Sequence, residues 1–138
     1  MTDVISGAAV LDASAILAFV REERGASRVE TAIRRGALIS TINWSEMLSA
    51  LSEDGESVEI AAPRVRARIA RIGILIVVAF DEAQSEHAAR LRMATRALGL
   101  SLADRACLAL ARVRRLPVLT TDRAWRSLHV SIRIDVIR

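Results

Sequence analysis

The sequence predicts a single α/β domain over residues 1–138, with a short, mostly parallel central sheet flanked by helices. Three observations lead there. Short apolar runs alternate with segments of helical period along the whole chain, which is the signature of strand–helix–strand crossovers. Successive strand candidates are separated by helix-length segments, and parallel strands need connections of that kind. Hydrophobic residues make up 52% of 138 residues, enough for one core and too short a chain for two. No internal repeat or low-complexity tract interrupts the pattern.

Ala8–Leu11 is the first buried-strand candidate, and Ala13–Val20 reads as the helix after it, broken by Gly25. A second helix spans 26–35, with Glu30 and Arg34 one turn apart and Gly36 at its C-terminal end. Ala37–Ile39 is a strand. Ser40 or Thr41 caps the next helix, which carries Trp44, Met47, Leu48 and Leu51 on one face. Residues 52–57 form a polar connector. The region 57–72 is helical, and Pro63 must kink it or start a new helix. Ile74–Val78 is the clearest strand. Asp81 caps a long helix to Leu98, and Gly99 ends it. Ser101 caps the helix 102–115, Pro117 opens a strand, and a short helix follows. Val130, Ile132, Ile134 and Val136 alternate with polar residues, the period of a half-exposed edge strand.

Composition narrows the function classes. The formal charge is +4, and every basic residue other than histidine is arginine. Arginine forks suit phosphate, so a nucleic-acid partner is compatible, although bias toward Arg and Ala accounts for most of the excess. Without lysine, the chain cannot be a P-loop NTPase, a phosphoacceptor receiver domain or a lysine-dependent phosphatase. No G-x-G-x-x-G follows the first strand, so dinucleotide binding is unsupported. The single Cys107 excludes an internal disulfide framework and a multi-cysteine zinc site. No apolar run reaches membrane-spanning length, and Asp3 precedes the first apolar stretch where a secretory signal would be basic. The expectation is a cytoplasmic protein with no membrane contact.

Four of the sixteen acidic residues resist ordinary explanations. Most of the others have an arginine nearby in sequence, lie in the polar connector or, like Asp81, cap a helix. Asp12 and Asp122 instead follow apolar strand runs. Glu46 and Asp104 sit in apolar helical segments with no basic residue three or four positions away. Asp104 should be buried, and a buried, unpaired carboxylate is costly. Each has a plain alternative: a turn or cap for Asp12 and Asp122, an exposed helical glutamate for Glu46, a first-turn acid for Asp104. Strand ends of an open sheet converge on one edge, however, and four carboxylates gathered there would repel one another without a cation. Oxygen-only donors of this kind suit Mg²⁺ or Mn²⁺.

These segments resemble the PIN-domain ribonucleases, most closely the toxin subunits of VapBC-type toxin–antitoxin pairs. The resemblance runs from about Ala8 to Ile137. It rests on Val10-Leu11-Asp12-Ala13-Ser14-Ala15, Asn43-Trp44-Ser45-Glu46-Met47, Leu100-Ser101-Leu102-Ala103-Asp104-Arg105-Ala106-Cys107 and Leu119-Thr120-Thr121-Asp122-Arg123-Ala124-Trp125. It implies a three-layer α/β/α fold with one PIN domain over 1–138. It also implies an endoribonuclease in which Asp12, Glu46, Asp104 and Asp122 are the catalytic, metal-binding acids, holding one or two Mg²⁺ or Mn²⁺ ions. Water activated at the metal would hydrolyse RNA phosphodiesters, leaving a 5′-phosphate and a 3′-hydroxyl. The implied partners are a cognate antitoxin, an RNA substrate and a second copy in a homodimer. Ser14 and Thr121, beside two of the acids, are candidates to orient a carboxylate or water. Arg105, Arg123 and Arg126 lie near the motifs as candidate phosphate contacts. Arg64, Arg68 and Arg71 could serve RNA, although a solvated helix face is the simpler reading. The alternative is a PIN-like module that binds RNA or protein without cutting.

Overall fold

The structure is a computed structural model that describes residues 8–138. Asp3 therefore lies outside the described residues. Five strands, β1 (Ala9–Leu11), β2 (Ala37–Ser40), β3 (Leu75–Val78), β4 (Val118–Thr120) and β5 (Ile134–Val136), form one sheet in the order β3-β2-β1-β4-β5. Every pairing is parallel. Six α-helices connect them: α1 (Ala13–Val20), α2 (Ala26–Arg35), α3 (Thr41–Glu53), α4 (Val58–Ala70), α5 (Glu82–Thr95) and α6 (Leu102–Arg114). A 3₁₀ turn, Arg123–Ser127, stands between β4 and β5.

The strand period of two builds the three layers. Ala9 and Leu11 face one core, with Phe19, Val29, Ile33, Met47 and Val65 from α1–α4. Val10, between them, faces the other, with Leu91, Leu108 and Leu110 from α5 and α6. Trp125 plugs this second core and is 1% exposed. Leu, Ile, Val and Ala dominate both cores, as the low aromatic content requires.

Helix boundaries follow the capping chemistry. Ser40 accepts the Ile42 N–H at 3.2 Å and Asp81 accepts the Gln84 N–H at 2.9 Å. Gly25 and Gly36 hold φ of +100° and +96° at the two ends of α2, a conformation that suits glycine. Pro63 neither ends α4 nor starts another helix; α4 continues through it to Ala70. The alternating 130–136 segment pairs only over Ile134–Val136, while Val130 and Ile132 pack against the second core without joining a strand. β3 is the other sheet edge, and its Ile76 and Val77 are exposed.

One close approach predicts a stability effect. A Cβ on Gly73, in the turn between α4 and β3, would lie 2.1 Å from the Ile33 carbonyl oxygen. Gly73→Ala must push α2 and this turn apart, at a cost of about 2 kcal/mol. Urea denaturation should show a lowered midpoint with an unchanged slope.

Candidate metal centre

β1 and β4 are neighbours in the sheet, yet the chain leaves β1 toward β2 and reaches β4 only after β3. That reversal opens a crevice beyond their carboxyl ends, where open parallel sheets bind ligands. Asp12 follows β1 directly, and Asp122 lies two residues past β4. Glu46 projects from the second turn of α3, and Asp104 from the first turn of α6. All four line one cleft of about 260 Å³, with Ser14, Leu17 and Trp125 among its walls.

Asp12 is the buried member, 6% exposed. Its Oδ1 accepts the Ser14 hydroxyl at 2.7 Å and the Ala15 N–H at 2.8 Å, which caps α1. Its Oδ2 accepts the Thr120 hydroxyl at 2.5 Å. Burial pushes its carboxyl up to about 6, against the pull of those hydrogen bonds, and the nearby Asp104 charge adds to the rise. Asp104 forms a capping box with Ser101: the Asp104 N–H donates to Ser101 Oγ, and the Ser101 N–H to Asp104 Oδ2, each at 3.1 Å. The side chain is half-buried rather than buried, because the first turn of α6 reaches solvent and Leu102 beside it is 51% exposed. Asp122 is exposed and caps the 3₁₀ turn through the Ala124 N–H at 3.0 Å. Glu46 is exposed overall; partial desolvation raises its carboxyl, with the Asn43 amide opposing and the Asp104 charge reinforcing the rise. Asn43 also ties α3 to α6, donating Nδ2–H to the Ala103 carbonyl at 3.0 Å. That bond sets Glu46 and Asp104 on facing helices.

None of the four acids has an ion-pair partner among the described residues. Seven of the other eleven described acids do, among them Asp54 with Arg21, Glu56 with Arg64, Glu30 with Arg34, Glu86 with Arg90 and Asp135 with Arg133, while Glu53, Glu59, Asp81 and Glu82 have none and line no common cleft with the four. The field of the uncompensated acids reaches the buried Cys107, whose thiol is held well above its usual range by burial and by Asp12, Asp104 and Glu46. No three His, Cys, Asp or Glu side chains among the described residues are gathered closely enough to hold an ion as they stand. The donor set nonetheless fits a hard divalent cation: four carboxylates, no basic neutraliser, and lone pairs still free on the capping oxygens. Ligation would draw Glu46, Asp104 and Asp122 inward toward Asp12.

The hydroxyl pair differs in one member from the sequence expectation. Ser14 does hold Asp12. The second hydroxyl is Thr120 rather than Thr121, because β1 and β4 pair Leu11 with Leu119 and so set Thr120 level with Asp12. Thr120 also accepts the Asp122 N–H at 3.1 Å, linking two of the acids, while Thr121 contributes only its N–H, to Ser14 Oγ at 2.9 Å. Thr120→Val would leave Asp12 short of a donor and the Asp122 N–H without an acceptor. We expect a loss of about 2 kcal/mol and a 10- to 100-fold fall in activity, with Thr120→Ser restoring both. Thermal melts and initial rates on the three proteins check this.

None of the three arginines near the motifs, Arg105, Arg123 and Arg126, lines the cleft, and two of them bond elsewhere. Arg105 donates to the Ala88 carbonyl at 3.0 Å, and Arg123 to the Arg138 carbonyl at 3.2 Å. Arg64 holds Glu56 at 2.6 Å, and Arg68 lies over the Phe19 ring, 4.2 Å from its centroid. His87 and His129 line no part of the cleft.

No curated protein sequence matches the chain. Solved structures do match its fold. A toxin–antitoxin complex from Klebsiella pneumoniae aligns at 20% identity and a TM-score of 0.68, over 88% of this chain and 93% of that one. VapBC2 from Rickettsia felis, bound to a DNA fragment from its promoter, aligns at 14% identity and 0.68, over 91% and 96%. DNA-bound VapBC from Salmonella typhimurium aligns at 20% identity and 0.67, over 93% and 96%. At these identities the likeness is one of fold. The sequence itself carries the family: residues 9–130 match the PIN domain, a span that takes in the switch-point crevice and all four acids. The chain therefore belongs to the PIN-domain family.

Proposed function

We propose that the chain is a metal-dependent endoribonuclease and the toxin of a VapBC-type toxin–antitoxin pair. The observation that carries the reading is the cleft at the sheet's switch point, where Asp12, Glu46, Asp104 and Asp122 meet with no basic side chain to neutralise them. These four residues would hold one or two Mg²⁺ or Mn²⁺ ions. A bound ion would supply acidified water and positive charge at the scissile phosphate. The chain's own part is positional. Ser14 and Thr120 fix the Asp12 carboxylate and favour its ionised form. Leu17 and Trp125 give the cleft an apolar side. The exposure of Glu46 and Asp122 leaves it open to a polymer. The expected products are a 5′-phosphate and a 3′-hydroxyl.

Relatives solved as toxin–antitoxin complexes support an antitoxin partner, which would cover the acidic cleft, and a homodimer. One observation favours a second reading, a PIN-like module that binds RNA or protein without cutting: Asp12, Asp104 and Asp122 all serve as helix or turn caps as well. Incubation of the antitoxin-free protein with total RNA, in Mg²⁺ or Mn²⁺ and in chelator, separates the two. Discrete fragments with 5′-phosphate ends, formed only with metal, support the nuclease. Retention of intact RNA by folded, metal-supplied protein supports the binding module.

A further inference from the structure

At the opposite pole of the sheet, around the amino ends of β1 and β4, lies a second feature of opposite charge. Arg28, Arg35, Arg115 and Arg133 line a cleft of about 280 Å³, with Asp135 as its one acid among the described residues. A neighbouring cleft of about 300 Å³ shares Arg115 and Arg133 and adds Arg112. Among the described residues, five exposed arginines thus face one carboxylate along a continuous track. Asp135 engages Arg133 at 3.2 Å and Arg28 at 3.9 Å. Arg35, Arg112 and Arg115 have no carboxylate partner among the described residues.

Two plainer explanations fall short. Arg35 and Arg112 stand in the last turns of α2 and α6, where cations favour the helix dipole. That accounts for neither Arg28 nor Arg133, both outside those turns. The two helix ends carry about half a negative charge each, so the track keeps about three positive charges. Arg115 occupies a left-handed backbone position, φ +56°, at the end of α6, where glycine is the usual and easier residue. A guanidinium stands at the junction of the two clefts despite that conformational cost.

We propose that this track binds the phosphodiester backbone of a polynucleotide at a site separate from the acidic cleft. Ala9, at the start of β1, and Asp12, just past its end, mark the two poles, and the strand between sets them roughly 10 Å apart. Among the described residues no aromatic side chain lines either basic cleft, so bases meet no aromatic stacking platform. Recognition therefore runs through phosphates and is indifferent to sequence and strongly dependent on salt.

The test is anisotropy of labelled 20-mer oligouridine and of a 20-bp DNA duplex, with the full chain in chelator so that cleavage plays no part. Arg35→Gln, Arg115→Gly and Arg133→Gln combined should weaken binding at least about 10-fold and reduce the salt slope by about 2. A control with Arg90, Arg92 and Arg96 changed to Gln, equal in charge removed and outside both clefts, should weaken it less than about 2-fold. Arg115→Gly alone keeps the backbone conformation and should weaken binding while melting no lower than wild type. A preference for oligouridine or for the duplex identifies the polynucleotide. Equal losses in the two triple variants, or tighter binding of polyglutamate than of either nucleic acid, would overturn the proposal.

Discussion

Asp12→Asn is expected to abolish RNA cleavage, by on the order of 10³-fold or more, while making the metal-free protein more stable at neutral pH. The two effects have one origin. Asp12 is buried at the cleft floor and its carboxyl titrates at about 6 in the native state, against an ordinary value of 3.8. Between those values the folded chain holds a proton that the unfolded chain has released, so stability falls as pH rises through this window. The penalty is complete above about pH 7 and absent below about pH 3.5. Its upper limit is about 3 kcal/mol. Asparagine carries no charge to desolvate, and its amide N–H can donate to Thr120 Oγ1. Some hydrogen-bond strength to Ser14 and Ala15 is lost, which leaves a net gain of about 1–2 kcal/mol and a melting point higher by roughly 3–8 °C. Calorimetry in chelator at pH 4 and pH 7.5 checks the sign: the variant should lead at pH 7.5 and lose its lead at pH 4. A variant less stable at both values would mean that Asp12 is held for its capping bonds and not against its charge.

Divalent metal is expected to reverse that order. A cation beside Asp12 offsets the desolvation that keeps its carboxyl high and the smaller repulsion from Asp104, so wild type should gain what the variant cannot. At one hundred times the dissociation constant the gain is about 2.7 kcal/mol, roughly 10 °C for a chain of this length. Melting curves across a Mn²⁺ series should rise for wild type and stay nearly flat for Asp12→Asn. Asp104→Asn should also respond weakly, because Asp104 is the acid whose charge acts on both Asp12 and Glu46. The same rise in all three proteins would place the metal elsewhere.

What the sequence disclosed and what it hid divide along a physical line. Element identity was legible because burial imposes a period: Ala9 and Leu11 face one core and Val10 the other, and the apolar stripe Trp44, Met47, Leu48 and Leu51 is buried. Cap chemistry located helix ends at Asp81 and Ser101 and narrowed a third to Ser40 or Thr41, of which Ser40 is the cap, because those side chains bond locally. Asp12 and Asp122 were legible because each follows an apolar strand run, and Glu46 and Asp104 because no basic residue lies one helical turn away, both signals contained within a short stretch of chain. Thr120 was missed because its contact with Asp12 depends on the register between β1 and β4, which no local pattern states. The half-exposure of Asp104 was missed because an apolar helix can still present its first turn to solvent. The first half of the 130–136 alternation failed for a related reason: β5 can pair only as far as the three residues of β4 allow.

The most direct test of the metal centre is anomalous diffraction from crystals of the antitoxin-free chain grown with millimolar Mn²⁺. The prediction is one or two manganese peaks in the cleft at the carboxyl ends of β1 and β4, with Asp12 and Asp104 among the ligands. Ordered crystals in which manganese binds only elsewhere, with Asp12 still held by Ser14 and Thr120 alone, would contradict it.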